Sequence, residues 1–343
     1  MLTSPQKPRH FMLRWGVAAC WVYFTLMAAW LILFLFSGDT IGLVGLITAL
    51  AQFLFLPLPL ILLLAWKTGR RELWGGAALG AVIFLSLWGI DFIPKSPARA
   101  ASSLHIVTYN VLGLQGHTMP AIDVIHTLNA DLVCLQEVTP NMAQALTQNL
   151  SEYPYQYLSP QETVFGMGIL SKMPLKPVEH NLGDGWIGIQ VFQGTFDKRP
   201  FLLVNFHLPA YTLRSMAALT YNFQVRNALA ARLVHFTTEQ TWPLVECGDA
   251  NATPLSTAYR ILQQGGLRDS WREAGWGFGN TFPGSLEAAS SRPHLGRFPL
   301  LPRWSARIDY VLYTPEFRAV QAQVAPFDGV SDHRGASVSL TWR

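Results

Sequence analysis

Charge is scarce in this sequence and unevenly placed. Only 13% of the 343 residues are Asp, Glu, Lys or Arg, against about 25% in ordinary soluble proteins. Residues 1–100 hold three long apolar runs and carry eight Lys or Arg and three Asp or Glu. Residues 101–343 carry seventeen Lys or Arg and eighteen Asp or Glu. The second part therefore has a net charge of −1 (seventeen minus eighteen), which argues against a domain that binds nucleic acid through bulk positive charge.

Cysteine is scarce as well, and several catalytic motifs are missing. Cys20, Cys134 and Cys247 lack the spacing of a zinc site, and none of the nine histidines supplies a close-set pair together with other ligands. There is no Gly-x-Ser-x-Gly elbow for a serine nucleophile and no Walker-type phosphate loop. Cys134 and Cys247 lie in strand-like runs, where a free cysteine usually acts as a small buried hydrophobe. A Cys134–Cys247 disulfide is the alternative.

The apolar composition of residues 1–100 predicts a set of membrane-spanning helices. A bilayer crossing needs about 20 apolar residues, and the runs at 15–36, 41–66 and 73–93 are that long. Pro57 and Pro59 are expected to kink the second helix. We therefore predict a transmembrane region over 1–93, a Pro-containing linker over 94–102 and a globular domain over 103–343 of a multi-pass cell-membrane protein.

The distribution of basic residues predicts the orientation of this region. Cytoplasmic loops of membrane proteins are enriched in Lys and Arg, and two basic segments flank the predicted spans: Lys7, Arg9 and Arg14, then Lys67, Arg70 and Arg71. With both segments in the cytoplasm, three crossings place the globular domain on the extracytoplasmic side. The alternative is two crossings with a buried third helix, which places the globular domain on the cytoplasmic side.

Polar side chains recur where apolar strands end in the second part. Short apolar or alternating runs predict strands at 104–113, 131–138, 166–175, 201–209, 242–251, 306–313 and 330–340, and helices at 119–130 and 221–236. One strand-end Asp or Asn is usually a turn former or helix cap. Here eight polar residues share this position: Asn110, Glu137, His207, Asp249, Asn251, Asp309, Asp332 and His333. Carboxylate and amide oxygens with few cysteines favour Mg²⁺ or Mn²⁺ over zinc.

These motifs resemble the endonuclease/exonuclease/phosphatase superfamily over residues 103–343. The segments that carry the resemblance, in chain order, are TYNVLG, DLVCLQEV, GMGILSKMPL, NFHLP, ECGDANATP, NTFP, RIDYVL and SDHRGASVSL. The resemblance implies a four-layer α/β sandwich, in which helices flank two central sheets. It also implies hydrolysis of a phosphate ester with a divalent cation, in a nucleic acid, a phospholipid head group or a small molecule. Protein partners are unknown.

The resemblance also implies roles for single residues. Glu137 binds the metal, with Asn110 and Asp332 near it. Asp249 orients or deprotonates the attacking water, and Asn251 holds a phosphate oxygen or steadies Asp249. The two can point the same way if the chain stays extended. The remaining roles are assigned to three residues: His333 faces the phosphate, Asp309 orients His333, and His207 is a second phosphate-side histidine. Either Asp249 or His333 can be the general base.

Two positions depart from the family pattern. Glu246 stands in the strand before Gly248-Asp249, where apolar residues are usual, and Ala250 replaces a frequent aromatic residue. Strand alternation directs Glu246 away from Val245 and Cys247, and we expect it to face an arginine.

The loop at 290–307 is the candidate for substrate selection. It combines four arginines with apolar residues, a composition suited to phosphate together with a bilayer or lipid tail. Arg303 and Arg307, with Thr281 of the NTFP motif, are the predicted substrate contacts. The alternative is a surface loop that covers the sandwich.

Three functional classes follow. The first is a membrane-anchored, metal-dependent phosphodiesterase or phosphomonoesterase. The second is a non-catalytic binding or sensing module on the same fold, which the intact set of reactive residues disfavours. The third is a transporter or channel, which the lack of an intramembrane charged pathway disfavours.

Overall fold

The protein consists of two compact units, Met1–Ile90 and Asp91–Arg343. The computed structural model describes residues 8–95, 100–113, 116–180, 182, 188–211, 213–284 and 302–343. The domain boundaries predicted at 93 and 103 stay predictions.

The first unit is helical. Three stretches are long and apolar enough to cross a membrane by length and composition: Leu13–Ser37, Ala51–Thr68 and Arg71–Phe92, the last of which ends two residues after the first unit. Its α-helices are α1 (Pro8–Ser37), α2 (Gly42–Ala49), α3 (Leu58–Thr68) and α4 (Arg71–Trp88), with 3₁₀ helices at Ala51–Phe55 and Gly89–Phe92.

The second apolar run is not the single kinked helix that the sequence predicts. It divides into α2, a 3₁₀ helix and α3. In a continuous helix the carbonyl of Phe53 would accept from residue 57, but Pro57 has no amide proton, and Pro59 removes a second donor. The Phe53 carbonyl instead accepts from the amide of Leu56 at 3.3 Å. The prolines therefore explain the break immediately before α3, whereas α2 ends further upstream, at Ala49.

The second unit alternates strands and helices. Its strands are β1 (Leu104–Asn110), β2 (Leu132–Gln136), β3 (Tyr155–Ser159), β4 (Met167–Ser171), β5 (Lys176–Pro177), β6 (Gly188–Phe196), β7 (Arg199–His207), β8 (Leu244–Asp249), β9 (Arg268–Asp269), β10 (Asp309–Tyr313), β11 (Phe317–Val324) and β12 (Ala336–Trp342). Its helices are α5 (Met119–Leu128), α6 (Pro140–Asn149), α7 (Met216–Glu239), α8 (Thr257–Gln264) and α9 (Ser270–Ala274).

These strands form two six-stranded sheets stacked face to face. The first has the order β11-β12-β1-β2-β4-β3 and the second β5-β6-β7-β8-β10-β9. Apolar residues of α5 and α6 cover the outer face of the first sheet, and those of α7 and α8 cover the outer face of the second. The four-layer sandwich predicted from the family resemblance is confirmed.

The inner faces of the two sheets enclose the central core. Strand alternation directs Ile106, Leu132, Val245 and Val311 into it, and each is at most 1% exposed. The same core contains a disulfide between Cys134 of β2 and Cys247 of β8, whose Cα atoms are 6.2 Å apart. The expectation that these cysteines are free thiols is wrong, because the packed sheets bring them within bonding reach.

Strand direction explains why polar ends collect at one edge. β1 and β2 run parallel, as do β7 and β8, so each pair presents its carboxyl ends together. In the second sheet His207 lies opposite Asp249 of the neighbouring strand. Antiparallel β10 begins where β8 ends and pairs Asp309 with Asp249. Residues far apart in sequence therefore become neighbours at this edge.

Candidate active site

The segment after β8 turns sharply rather than continuing in extended form. Asn251 adopts a left-handed backbone with φ of 47°, and its amide donates to Asp249 Oδ1 at 2.7 Å. This Asx turn brings the Asn251 side chain to within 3.2 Å of Asp249 Oδ2. The two side chains do point together, but the expected extended chain is wrong. Gly248 is required before the turn because a Cβ there would overlap the carbonyl of Phe206.

A buried amide links the candidate metal ligand Glu137 to Asp249, a candidate general base. Asn110 Nδ2 donates to Glu137 Oε1 at 3.0 Å and to Asp249 Oδ2 at 3.1 Å. Its Oδ1 accepts from the amide of Leu112 at 3.1 Å, which fixes the amide orientation. Glu137 also has a left-handed backbone, with φ of 60°. Uncommon backbone conformations of this kind concentrate at functional sites.

His333 is surrounded by three carboxylates. Its Nδ1 lies 3.0 Å from Asp309 Oδ2, and its Nε2 lies 3.7 Å from Asp249 Oδ2 and 3.9 Å from Asp332 Oδ1. Burial opposes the charged imidazolium, but Asp309 and Asp249 outweigh it and raise the pKa of His333 to about 10. The arrangement therefore favours a cationic ring with a proton on each nitrogen.

His207 occupies the opposite side of Asp249. Its Nδ1 lies 3.0 Å from the carbonyl of Val164, which only accepts, so we assign the ring proton to Nδ1. Its Nε2 faces the site, 3.6 Å from Asp249 Oδ2 and 4.0 Å from Glu137 Oε1. The amide of Asn251 donates toward the same Nε2 at 3.3 Å. His207 and His333 thus present Nε2 atoms on two sides of one carboxylate oxygen.

The site has more acidic than basic groups. Glu137, Asp249, Asp309 and Asp332 are all buried, and the imidazoles of His207 and His333 lie within 4.0 Å of these carboxylates. Burial raises the pKa of Asp249, His333 partly opposes the shift, and Asp309 adds to it. A divalent cation would offset this excess of negative charge, and oxygen donors are the ligands that Mg²⁺ and Mn²⁺ prefer. The donor set therefore fits such an ion.

Two groupings of residues could hold it. Ligand atoms of Asp249, Asp309 and His333 lie within 4.8 Å of one another. In that set, however, His333 Nδ1 is already hydrogen-bonded to Asp309. The predicted ligands Glu137, Asn110 and Asp332 are the all-oxygen alternative, and two of them, Asn110 and Glu137, are in contact at 3.0 Å.

Residues missed in the sequence complete the site. Ser331 Oγ donates to the Asn110 carbonyl at 2.9 Å and accepts from the His333 amide at 3.0 Å. The Phe282 ring packs on the His333 imidazole at a centroid distance of 5.1 Å. Beneath the site, Gln136 Nε2 donates to Asn205 Oδ1 across the two sheets at 2.8 Å. Ser331 was detectable in the SDH motif, whereas the other contacts join residues distant in sequence.

The predicted substrate-contacting residues lie in different environments. Arg307 is buried, and its Nη1 donates to Asp269 Oδ2 at 2.8 Å, so it is committed to a structural ion pair. Thr281 is buried, and its Oγ1 accepts from the Ile308 amide at 3.3 Å. Arg303 is exposed. Residues 285–301, which include most of the predicted selection loop, lie outside the described residues.

Glu246 departs from its prediction. It points to the outer face of β8 as expected, but it meets Thr237 of α7 rather than an arginine, with Thr237 Oγ1 at 2.6 Å from Glu246 Oε1. Burial raises the pKa of Glu246 to about 8, and the Thr237 contact only partly opposes this.

The chain is similar to several known proteins. The model of the Endonuclease/Exonuclease/phosphatase family matches residues 107–333. An endonuclease/exonuclease/phosphatase family protein from Bacteroides thetaiotaomicron shares 17% identity and a TM-score of 0.51, over 71% of this chain and 96% of that one. D. rerio TDP2, complexed with single strand DNA product, shares 19% identity and a TM-score of 0.55, over 70% of this chain and 99% of that one.

A third structure, the endonuclease/exonuclease/phosphatase from Bacteroides vulgatus, shares 18% identity and a TM-score of 0.52, over 71% of this chain and 100% of that one. At identities this low, the similarity to these structures supports a shared fold and nothing further. No curated protein matches the chain in sequence.

Proposed function

Because the chain belongs to the endonuclease/exonuclease/phosphatase family, whose members are generally phosphoesterase hydrolases, we propose that it is a membrane-anchored phosphoesterase that depends on Mg²⁺ or Mn²⁺. It hydrolyses a phosphodiester or phosphomonoester with an activated water. The single observation that carries this proposal is the position of Asp249 Oδ2, which lies 3.6 Å and 3.7 Å from the Nε2 atoms of His207 and His333.

The cation belongs with Glu137, Asn110 and Asp332 in this proposal. All three offer oxygen donors in a buried setting, and Asn110 positions Glu137 through its 3.0 Å hydrogen bond. When bound, a divalent cation there would neutralise charge that develops on the phosphate oxygens. Everything else in the reaction falls to the protein's own side chains.

Asp249 is the proposed base. The Asn110 and Asn251 amides hold both of its oxygens in fixed directions, so the carboxylate is oriented to accept a proton from water. His333 lies to one side and donates from Nε2 to a phosphate oxygen, and His207 lies to the other side as a second phosphate-side histidine whose Nε2 accepts from the Asn251 amide. Asp309 accepts from His333 Nδ1 and so directs Nε2 at the substrate. Fixed donors of this kind stabilise the transition state more than the bound substrate.

The membrane anchor is part of the proposal. Three helices are long and apolar enough to span a bilayer. The two basic segments of the sequence favour a cytoplasmic location for the N-terminal end of α1 and for the facing ends of α3 and α4. Three crossings then place the catalytic unit on the extracytoplasmic side.

Three substrate classes remain candidates for the site. A nucleic acid, a phospholipid head group and a small phosphate ester all present the same phosphate chemistry. The −1 net charge of residues 101–343 disfavours a long polynucleotide, whereas tethering raises the local concentration of lipid substrates. The single strand DNA product bound to D. rerio TDP2 places single-stranded DNA in the test panel.

The test uses the full-length protein in nanodiscs, stripped with EDTA and then supplied with Mg²⁺ or Mn²⁺. The panel is bis(p-nitrophenyl) phosphate, p-nitrophenyl phosphate, single-stranded DNA, plasmid DNA, RNA and sphingomyelin vesicles. We expect metal-dependent turnover of at least one compound, and loss of about 10²- to 10⁴-fold in kcat for Asp249→Asn.

Asp123→Asn, the same chemical change at an exposed site on α5, is the matched control and should retain full turnover. Wild-type turnover in both Asp249→Asn and His333→Ala would contradict the proposal. Binding of a panel compound without any hydrolysis would support a sensing module instead.

A further inference from the structure

The disulfide between Cys134 and Cys247 joins the two strands that carry the centre of the site. Cys134 lies on β2 three residues before Glu137, and Cys247 lies on β8 two residues before Asp249. Both cysteines are fully buried in the core between the sheets. Their Cα separation of 6.2 Å is within the usual range for a disulfide. The bond therefore links the two sheets directly beneath the catalytic edge.

Disulfides of this kind depend on the compartment in which a protein folds. Cytosolic thiols are kept reduced, whereas extracellular and periplasmic proteins form stable disulfides. We infer that the catalytic unit folds and works in an oxidising, extracytoplasmic compartment, where Cys134 and Cys247 are oxidised to a structural disulfide. In this step the two thiols lose two protons and two electrons and form one S–S bond. The acceptor is the disulfide of an extracytoplasmic thiol–disulfide exchange protein, which is reduced to two thiols.

This inference stands apart from the catalytic proposal. It uses two cysteines that are fully buried in the core, and it would hold for a domain without enzymatic activity. It is also independent of the charge argument for topology, which uses basic residues of the first unit alone. Two unrelated observations therefore favour the same side of the membrane.

Burial of the bond predicts how it forms and how it resists reduction. Exchange requires a thiolate to reach one of the sulfurs, and both cysteines are 0% exposed. Oxidation must therefore occur before the two sheets close over the sulfurs. In the folded protein, a reductant is expected to act only after unfolding.

Counting of free thiols tests the oxidation state. Cells that express the full chain are quenched in acid, and the protein is denatured and treated with a polyethylene-glycol maleimide. We expect one modified thiol, the free Cys20, and three after reduction. The Cys20→Ser variant should show no modified thiol before reduction and two modified thiols after it. Three modified thiols in the unreduced wild type would overturn the inference.

Labelling from outside the membrane tests the compartment. Gln148→Cys places a thiol at an exposed position of α6, in a Cys20→Ser background that leaves no other free thiol. We expect a membrane-impermeant maleimide to label it in intact spheroplasts as fully as after lysis. Labelling only after lysis would overturn the inference, whatever the protein hydrolyses. A host without an extracytoplasmic dithiol oxidase should yield the unoxidised cysteine pair, and a complete disulfide in that host would contradict the proposed acceptor.

Discussion

Arg226 of α7 holds the backbone of Asn251. Its Nη1 donates to the Asn251 carbonyl at 2.6 Å, and its guanidinium packs 4.2 Å from the ring centroid of Tyr211 and 4.9 Å from that of Phe223. Arg226 is fully buried. Because Asn251 has a left-handed backbone and also contacts Asp249 and His207, this hydrogen bond restrains a strained residue at the centre of the site.

Replacement of Arg226 should therefore impair turnover, because Arg226 positions Asn251. Arg226→Met leaves the buried Asn251 carbonyl without its donor, and we expect about 1 to 3 kcal/mol loss of stability. Displacement of Asn251 should lower kcat by about 10²-fold. Arg226→Lys can donate to the same carbonyl and should recover part of this loss.

Arg268→Met, an exposed change on β9, is the control for loss of a guanidinium and should leave kcat unaltered. Steady-state kinetics and thermal unfolding together separate the two effects. If Arg226→Met loses stability but keeps wild-type kcat, and Arg226→Lys behaves in the same way, the positioning role is refuted.

Asp309 and His333 should act as one unit. Asp309 contributes through the 3.0 Å hydrogen bond to His333 Nδ1, so its effect requires the imidazole. We expect Asp309→Asn and His333→Ala each to lower kcat by about 10²- to 10⁴-fold. The double variant should be no worse than His333→Ala. A double variant whose loss is the product of the two single losses would show that Asp309 acts independently of His333.

Glu137 should determine metal affinity. Four buried carboxylates meet at the site, so bound Mg²⁺ should stabilise the folded wild type and raise its thermal midpoint. At a hundredfold excess of Mg²⁺ over Kd, the gain in the free energy of unfolding is about 2.7 kcal/mol. Glu137→Gln keeps an oxygen for the Asn110 hydrogen bond but removes one charge. We expect this variant to need at least about tenfold more Mg²⁺ for the same shift, and to be no less stable than the wild type in EDTA.

Thermal scanning in MgCl₂ and in NaCl of equal ionic strength measures this shift. Glu179→Gln, at an exposed position, controls for the loss of a carboxylate. An identical Mg²⁺ dependence in Glu137→Gln and the wild type would remove Glu137 from the ligand set.

The sequence was sufficient to predict the strands that carry the site, because these strands are central and apolar. β1, β2, β7, β8 and β10 all coincide with predicted runs, and the family resemblance and the sandwich are confirmed. Edge elements were not predicted. β3 is largely exposed or half-buried, and β9 has two residues, so neither shows a clear hydrophobic period.

Side-chain partners were harder to predict than strand positions. Arg226 appears in the sequence as one polar residue on an amphipathic helix, and only the packing of α7 against the loop after β8 explains its burial. Arg307 seemed suited to phosphate, but its partner Asp269 lies 38 positions away. The disulfide depends on how two sheets stack, and sequence periodicity within each strand carries no information about this.

Glu246 should make the stability of the catalytic unit depend on pH. Its pKa is raised from an ordinary value near 4.5 to about 8 by burial. Thr237 Oγ1 lies 2.6 Å from Glu246 Oε1 and 2.9 Å from the Leu233 carbonyl. The Thr237 hydroxyl donates to Glu246 Oε1, which favours the ionised form, but burial outweighs this contribution. The neutral carboxyl is therefore the form that the fold favours.

A raised pKa in the folded state means that the folded protein binds the proton more tightly than the unfolded chain. The resulting stability is fully present below about pH 4.5 and is lost as pH rises to about 8, with an upper bound on the order of 5 kcal/mol. We expect denaturant unfolding to give a lower free energy at pH 9 than at pH 6. Glu246→Gln should reduce this difference, because an amide does not titrate, whereas Glu239→Gln at the exposed end of α7 should preserve it. An equal pH dependence in Glu246→Gln and the wild type would mean that Glu246 is ionised in the folded protein, and another partner for its charge would then be required.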